Sequence, residues 1–146
     1  MITKSEKITG GWEHFQHEAD MGIRGYGRSI EEAFEQTGKA LTAVITDLAL
    51  VNSQQKISLE CDAPDIELLL TEWLNTLIYE MATRRMLFSS FKVRIENNNL
   101  HAEVGGEPVD VKKHEPAVEV KGATYTALSV KQFPDGLWYA QCVVDV

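Results

Sequence analysis

The chain has 146 residues, 44% hydrophobic and 25% charged, and a formal net charge of −8. That length fits one domain, residues 1–146, able to bury a core without disulfides or a structural metal. The acidic balance argues against autonomous nucleic-acid binding, which Lys and Arg drive, and points to plain solubility, a basic partner or a cation.

The two cysteines, Cys61 and Cys142, lie far apart and form no C-x-x-C unit. They read as small buried apolar residues rather than zinc ligands. Met1 to Gly11 is polar, without the apolar run of a signal peptide. No stretch approaches the roughly 20 apolar residues of a membrane span. The expected location is the cytoplasm, with no membrane partner.

Residues 12–17 read as a first short strand and residues 23–27 as a second, interrupted by glycines. Ser29-Ile30-Glu31-Glu32 fits a capping box. A helix follows to about residue 47, with Ile30, Ala33, Phe34, Leu41, Val44, Ile45 and Leu48 spaced by three and four. Ile57, Leu59 and Cys61 alternate with polar residues as in a half-buried strand. Pro64 is expected to open a second helix, whose apolar stripe runs from Ile66 through Leu70, Trp73, Leu74 and Leu77 to Met81.

Thereafter the period is two. Phe91, Val93 and Ile95 lead into the Asn97-Asn98-Asn99 turn, and Leu100, Ala102 and Val104 return until Gly105-Gly106 ends the strand. The segment up to Pro116 reads as a loop. Residues 119–131 read as one long strand, Pro134-Asp135-Gly136 as a hairpin turn and residues 137–146 as the closing strand. The expectation is an α+β fold: a largely antiparallel sheet of about seven strands packed with two amphipathic helices.

Asp20 stands just before Gly22, Gly25 and Gly27, which are expected to leave room around its carboxylate. The alternative is a turn former or helix cap. The glycines match neither the dinucleotide nor the P-loop pattern. Asp145 ends an apolar run and precedes Val146. It is either a solvated strand end or, with Asp20, part of a hard-cation site or acidic centre. Oxygen donors of this kind suit Ca²⁺ or Mg²⁺.

His17 either orients Asp20 or is merely packed. His14, three residues away on a strand, faces the other side and is expected at the surface. His101 and His114 have no partner visible in the sequence. Lys121 either faces solvent or pairs with an acidic site or a phosphate. Asp47, at the end of the first helix, opposes the helix dipole. Nucleophilic catalysis lacks support, since there is no G-x-S-x-G elbow.

The ordered set His17-x-Ala19-Asp20-x-Gly22-Ile23-Arg24-x-x-Gly27, Glu31-Glu32-Ala33-Phe34, Trp73-Leu74-Asn75, Phe91-x-Val93, Gly106-Glu107, Val120-Lys121-x-x-Thr124-Tyr125 and Asp145-Val146 spans nearly the whole chain. In this set the sequence resembles the archease family. The resemblance implies a small α+β protein that is not itself an enzyme. Such a protein is the cofactor of a GTP- and manganese-dependent RNA ligase of tRNA splicing and RNA repair, promoting its guanylylation and multiple turnover. It also implies a divalent site, seen with calcium, at Asp20, Asp145 and the Val146 carboxylate. One departure is Thr126, where many relatives carry His. The rival expectations are a general protein chaperone, a metal-dependent hydrolase and a plain calcium-binding module.

Overall fold

The computed structural model describes residues 11–146. The polar stretch ahead of Gly11, read above as lacking a leader, lies outside the described residues. The elements are β1 (Gly11–His17), β2 (Asp20–Gly27), α1 (Ile30–Ile45), a 3-10 turn (Leu48–Leu50), β3 (Gln55–Asp62), α2 (Ile66–Arg84), β4 (Met86–Glu96), β5 (Asn99–Pro108), α3 (Val111–His114), β6 (Gly122–Ala123), β7 (Ser129–Gln132) and β8 (Trp138–Asp145). No helix among them is long and apolar enough to cross a membrane.

The fold is α+β and antiparallel, but it has two sheets instead of one. The first, sheet A, runs β1-β2-β8-β6, with β7 also on β8; the second, sheet B, runs β3-β5-β4. The reason lies in α1. Its buried residues, Ala33, Phe34, Thr37, Gly38, Ala40, Leu41 and Thr42, wrap too far round the helix for one sheet to cover. It packs on β2 of sheet A and on β4 of sheet B. The stripe of α2 completes the core: Trp73 is fully buried and donates its indole N–H to the Phe34 carbonyl at 3.0 Å. Phe91 of β4 meets the Trp73 ring edge-on at 6.2 Å.

The helix starts follow from side-chain capping. Ser29 Oγ accepts from the Glu32 N–H, and Glu32 reaches back to the Arg28 N–H, both at 3.1 Å. At α2 the cap is Asp65, which accepts from the Leu68 N–H at 2.9 Å, so Pro64 precedes the cap and does not open the helix.

Three strand boundaries differ from expectation. First, β2 begins at Asp20 and holds all three glycines. Second, Gly105 and Gly106 lie inside β5, opposite a bulge between Phe88 and Ser90 of β4. A Cβ on Gly106 would overlap the Leu87 carbonyl, so the glycine pair admits the bulge and does not end the strand. Third, the single strand expected over residues 119–131 is two short ones, β6 and β7, both on β8. Between them Thr124 and Thr126 bond the Val143 backbone, and Ala127 takes a left-handed φ of 56° that leaves the ladder.

The stretch read as a loop before Pro116 contains α3 and a buried ionic cluster. Glu107, 6% exposed, accepts from the Asn52 N–H at 2.7 Å, from Lys113 Nζ at 2.7 Å and from His114 Nε2 at 3.0 Å. His114 Nδ1 accepts from the Asp110 N–H, so Nε2 carries the proton given to Glu107. The Asn52 N–H, then Lys113 and His114, hold the Glu107 carboxyl down at about 2. A carboxyl lowered on folding adds stability above its ordinary range, and that stability is lost as pH falls toward the folded value. Stability should therefore decline between pH of about 4.5 and about 2, and Glu107→Gln should flatten that part of the pH profile; urea titrations across the interval check it.

Candidate functional site

The β1–β2 hairpin and the C-terminal end of β8 meet at one end of sheet A. The β1–β2 register sets His17 opposite Asp20, and the β2–β8 register runs to Met21 opposite Val144. The next step along both strands brings Asp20 beside Asp145. Side chains alternate, so Asp20 shares a face with Gly22 and Arg24, and Asp145 with their partners Val143 and Gln141. The Asp20 carboxylate accepts from the Val146 N–H at 3.4 Å. The Lys121 N–H donates to the Asp145 carbonyl at 2.7 Å, and Gly122 pairs with Asp145. Asp20 is half-buried, while Asp145 and Lys121 are exposed.

His17, Asp20, Asp145, Val146 and Lys121 are thus brought together, from four strands and their ends. Lys121 is fixed there through α2: Asn75 Oδ1 accepts from the Ala123 N–H at 2.9 Å and holds β6 onto β8. His17 faces the same side as Asp20, with no hydrogen bond between their side chains among the described residues. Asp47 does not join them. Its carboxylate accepts from the Ala49 N–H at 3.0 Å and caps the 3-10 turn, which accounts for an acid at a helix end.

The glycines have a different task from the one expected. Gly25 and Gly27 face away from the acidic residues, toward α1. A Cβ on Gly25 would overlap the Ala33 carbonyl and stand 2.6 Å from the Thr37 nitrogen, and one on Gly27 would stand 2.6 Å from the Ala33 nitrogen. Gly22 lies beneath the Phe15 ring. None of the three opens space at Asp20; they let α1 and Phe15 close on the sheet. His14 likewise differs from the expected surface residue: it is half-buried, with Nε2 2.8 Å from the Ala40 carbonyl of α1.

The turn carrying Asp20 is tight. Glu18 and Ala19 link β1 to β2, and Glu18 holds a left-handed φ of 53°. That conformation costs a non-glycine residue about 1–2 kcal/mol, and the freer unfolded chain of a glycine offsets part of the relief it would bring. Glu18→Gly should therefore stabilise the fold by about 0.5–1 kcal/mol, read from chemical unfolding, and leave the two carboxylates in place.

In kind, the oxygens of Asp20 and Asp145 suit a hard divalent cation. In number they are a partial shell: no three His, Cys, Asp or Glu side chains among the described residues form a metal-holding group. A cation here would have positions open to water or to a partner's oxygens. The cysteines offer no alternative chemistry, because burial raises the thiols of Cys142 to about 12 and of Cys61 to about 11. Sequence reasoning missed the Glu107 cluster. Its signal was Gly106-Glu107 followed within seven residues by Lys113-His114.

Fold and site together define a small two-sheet α+β domain with an acidic tip made by the β1–β2 hairpin and the end of β8. The model of the archease protein family (MTH1598/TM1083) matches residues 12–146. The chain is 41% identical over 139 residues to protein archease of Pyrococcus furiosus, covering 92% of this chain and 98% of that one. It is 37% identical over 137 residues to protein archease of Sulfolobus acidocaldarius, covering 92% and 98%. The solution structure of Methanobacterium thermoautotrophicum protein 1598 superposes with a TM-score of 0.77 at 34% identity, covering 93% of this chain and 99% of that one. The chain belongs to the archease family.

Proposed function

We propose that this chain is a non-catalytic activator of a GTP- and manganese-dependent tRNA-splicing RNA ligase, promoting its guanylylation and multiple turnover, and acting in the cytoplasm. The observation that carries this is the meeting of Asp20 and Asp145 at one exposed tip in a chain of this family. Asp20, Asp145 and Val146 hold a divalent cation there, calcium being the expected ion. A bound cation supplies positive charge that can align a triphosphate. The chain's own residues orient the tip. The Val146 N–H steadies the Asp20 carboxylate, and the Lys121 N–H holds the end of β8. The exposed Lys121 side chain is left to meet a partner's acidic or phosphate group. The test is transfer of labelled guanylate from GTP to the ligase with and without the chain. Faster labelling supports the reading, and unchanged labelling counts against it.

A second reading, a general chaperone, is favoured by an apolar groove of about 230 Å³ among Ile45, Ile78, Met81, Val109 and Val118. Suppression of aggregation across unrelated clients, without preference for the ligase, would select it. Metal-dependent phosphoester turnover by the chain alone would select a hydrolase.

A further inference from the structure

β3 is an edge strand of sheet B, with β5 on one side and no strand on the other. We infer that two copies of this chain pair along β3, antiparallel about a two-fold axis at Leu59, so that sheet B runs on into its copy. The seam lies in sheet B and the acidic tip in sheet A, so the inference is independent of the activator reading.

An edge strand carries a row of unpaired N–H and C=O groups that invites another strand. At three edge strands of this fold a helix side chain takes up such a group. Glu35 of α1 accepts from the Val93 N–H of β4 at 2.8 Å. From α2, Glu67 accepts from the Val130 N–H of β7 at 3.2 Å and Asn75 from the Ala123 N–H of β6 at 2.9 Å. At β3 no side chain among the described residues bonds the backbone of residues 55–62; the contacts there are made by the Lys56 and Glu60 side chains. β1 is also an edge, but its only acid, Glu13, is already held by Arg24 and Tyr26.

Faces must match across a strand seam, because a one-residue slip turns every side chain to the other side. The register centred on Leu59 matches them. On the inner face it sets Leu59 opposite its copy and Ile57 opposite Cys61. Ile57 and Cys61 are only half-buried, so a partner strand covers apolar surface. On the outer face it sets Lys56 opposite Asp62 and Ser58 opposite Glu60, each pair twice by symmetry. All four are exposed. Neither Lys56 nor Asp62 makes an ion pair among the described residues, and Lys56 Nζ reaches only the Ser90 hydroxyl at 3.5 Å. Glu60 contacts His101 through Oε2 at 3.2 Å, which leaves Oε1 to accept from Ser58. Charge on an edge strand ordinarily keeps other chains away. Here two-fold pairing brings opposite charges face to face, which favours the seam. The other face-matched register, centred on Ser58, sets Gln55 against Cys61 on the inner face and leaves Asp62 unpaired.

A single strand seam is a small interface, and the net charge of −8 on each chain opposes it, so the dimer forms at high micromolar protein. The experiment is sedimentation equilibrium of the full chain at low salt, up to about 1 mM. The expected result is a reversible monomer–dimer equilibrium. Lys56→Glu and Asp62→Lys each set like charges opposite each other twice, and each should weaken the dimer at least about tenfold. An equimolar mixture of the two variants should dimerise again, since Glu then faces Lys and Lys faces Asp. A chain that stays monomeric throughout overturns the inference. So does a dimer that either variant leaves unchanged, or a mixture that fails to recover.

Discussion

Asp20→Ala and Asp145→Ala should each cost the activated ligase on the order of a hundredfold in rate, the scale of losing one preorganised electrostatic group. Their effects on stability should separate. Asp145 is exposed, so its loss should stay within about 0.5 kcal/mol. Asp20 is half-buried and accepts from the Val146 N–H, so its loss should cost about 0.5–1.5 kcal/mol. Asp20→Asn divides the two roles. The amide oxygen can still accept from Val146 while the charge is gone, so the fold should be kept and the activation lost. Ligation rates paired with denaturant titrations on the same preparations check this. If Asp20→Asn activates normally, the tip's negative charge is not its working property.

Gly25→Ala should have a large effect on folding. Its Cβ would meet the backbone of α1 at Ala33 and Thr37, and backbone has no rotamer with which to move aside. Lifting α1 loosens its contacts with β2 and, through the same helix, with β4 of sheet B. We expect a loss of about 3 kcal/mol, or roughly 10 °C in Tm for a domain of this size. Gly22→Ala is the comparison. Its Cβ meets the Phe15 ring, a side chain on an edge strand that can swing away, so the loss should be nearer 1 kcal/mol. Thermal unfolding of the two variants checks both values. Equal losses would mean that the helix yields as readily as the ring.

These variants also mark where sequence reading ran out. The periodic elements were legible because period and burial have one cause: the stripe of α2 from Leu69 to Met81 faces the core in the positions its spacing gives. The alternation in β3, β4 and β5 was legible for the same reason. The glycines were expected to leave room at Asp20, but what comes close to a glycine is a tertiary fact, and at Gly25 it is a helix, not a ligand. The break between β6 and β7 was hidden because Thr124, Tyr125 and Thr126 have strand character. It is their bonds to Val143 that remove them from the ladder. Asp20 and Asp145 were both singled out from sequence, but their meeting depends on β2 pairing with β8 across the whole length of the chain. His114 had no visible partner because Glu107, on the preceding strand, is reached by way of the short α3.

The most direct test of the activator account counts ligation events per ligase, with ligase limiting and GTP and manganese in excess, in the presence and absence of this chain. The account predicts many turnovers with the chain and a single-turnover level without it. The same count in both would contradict it.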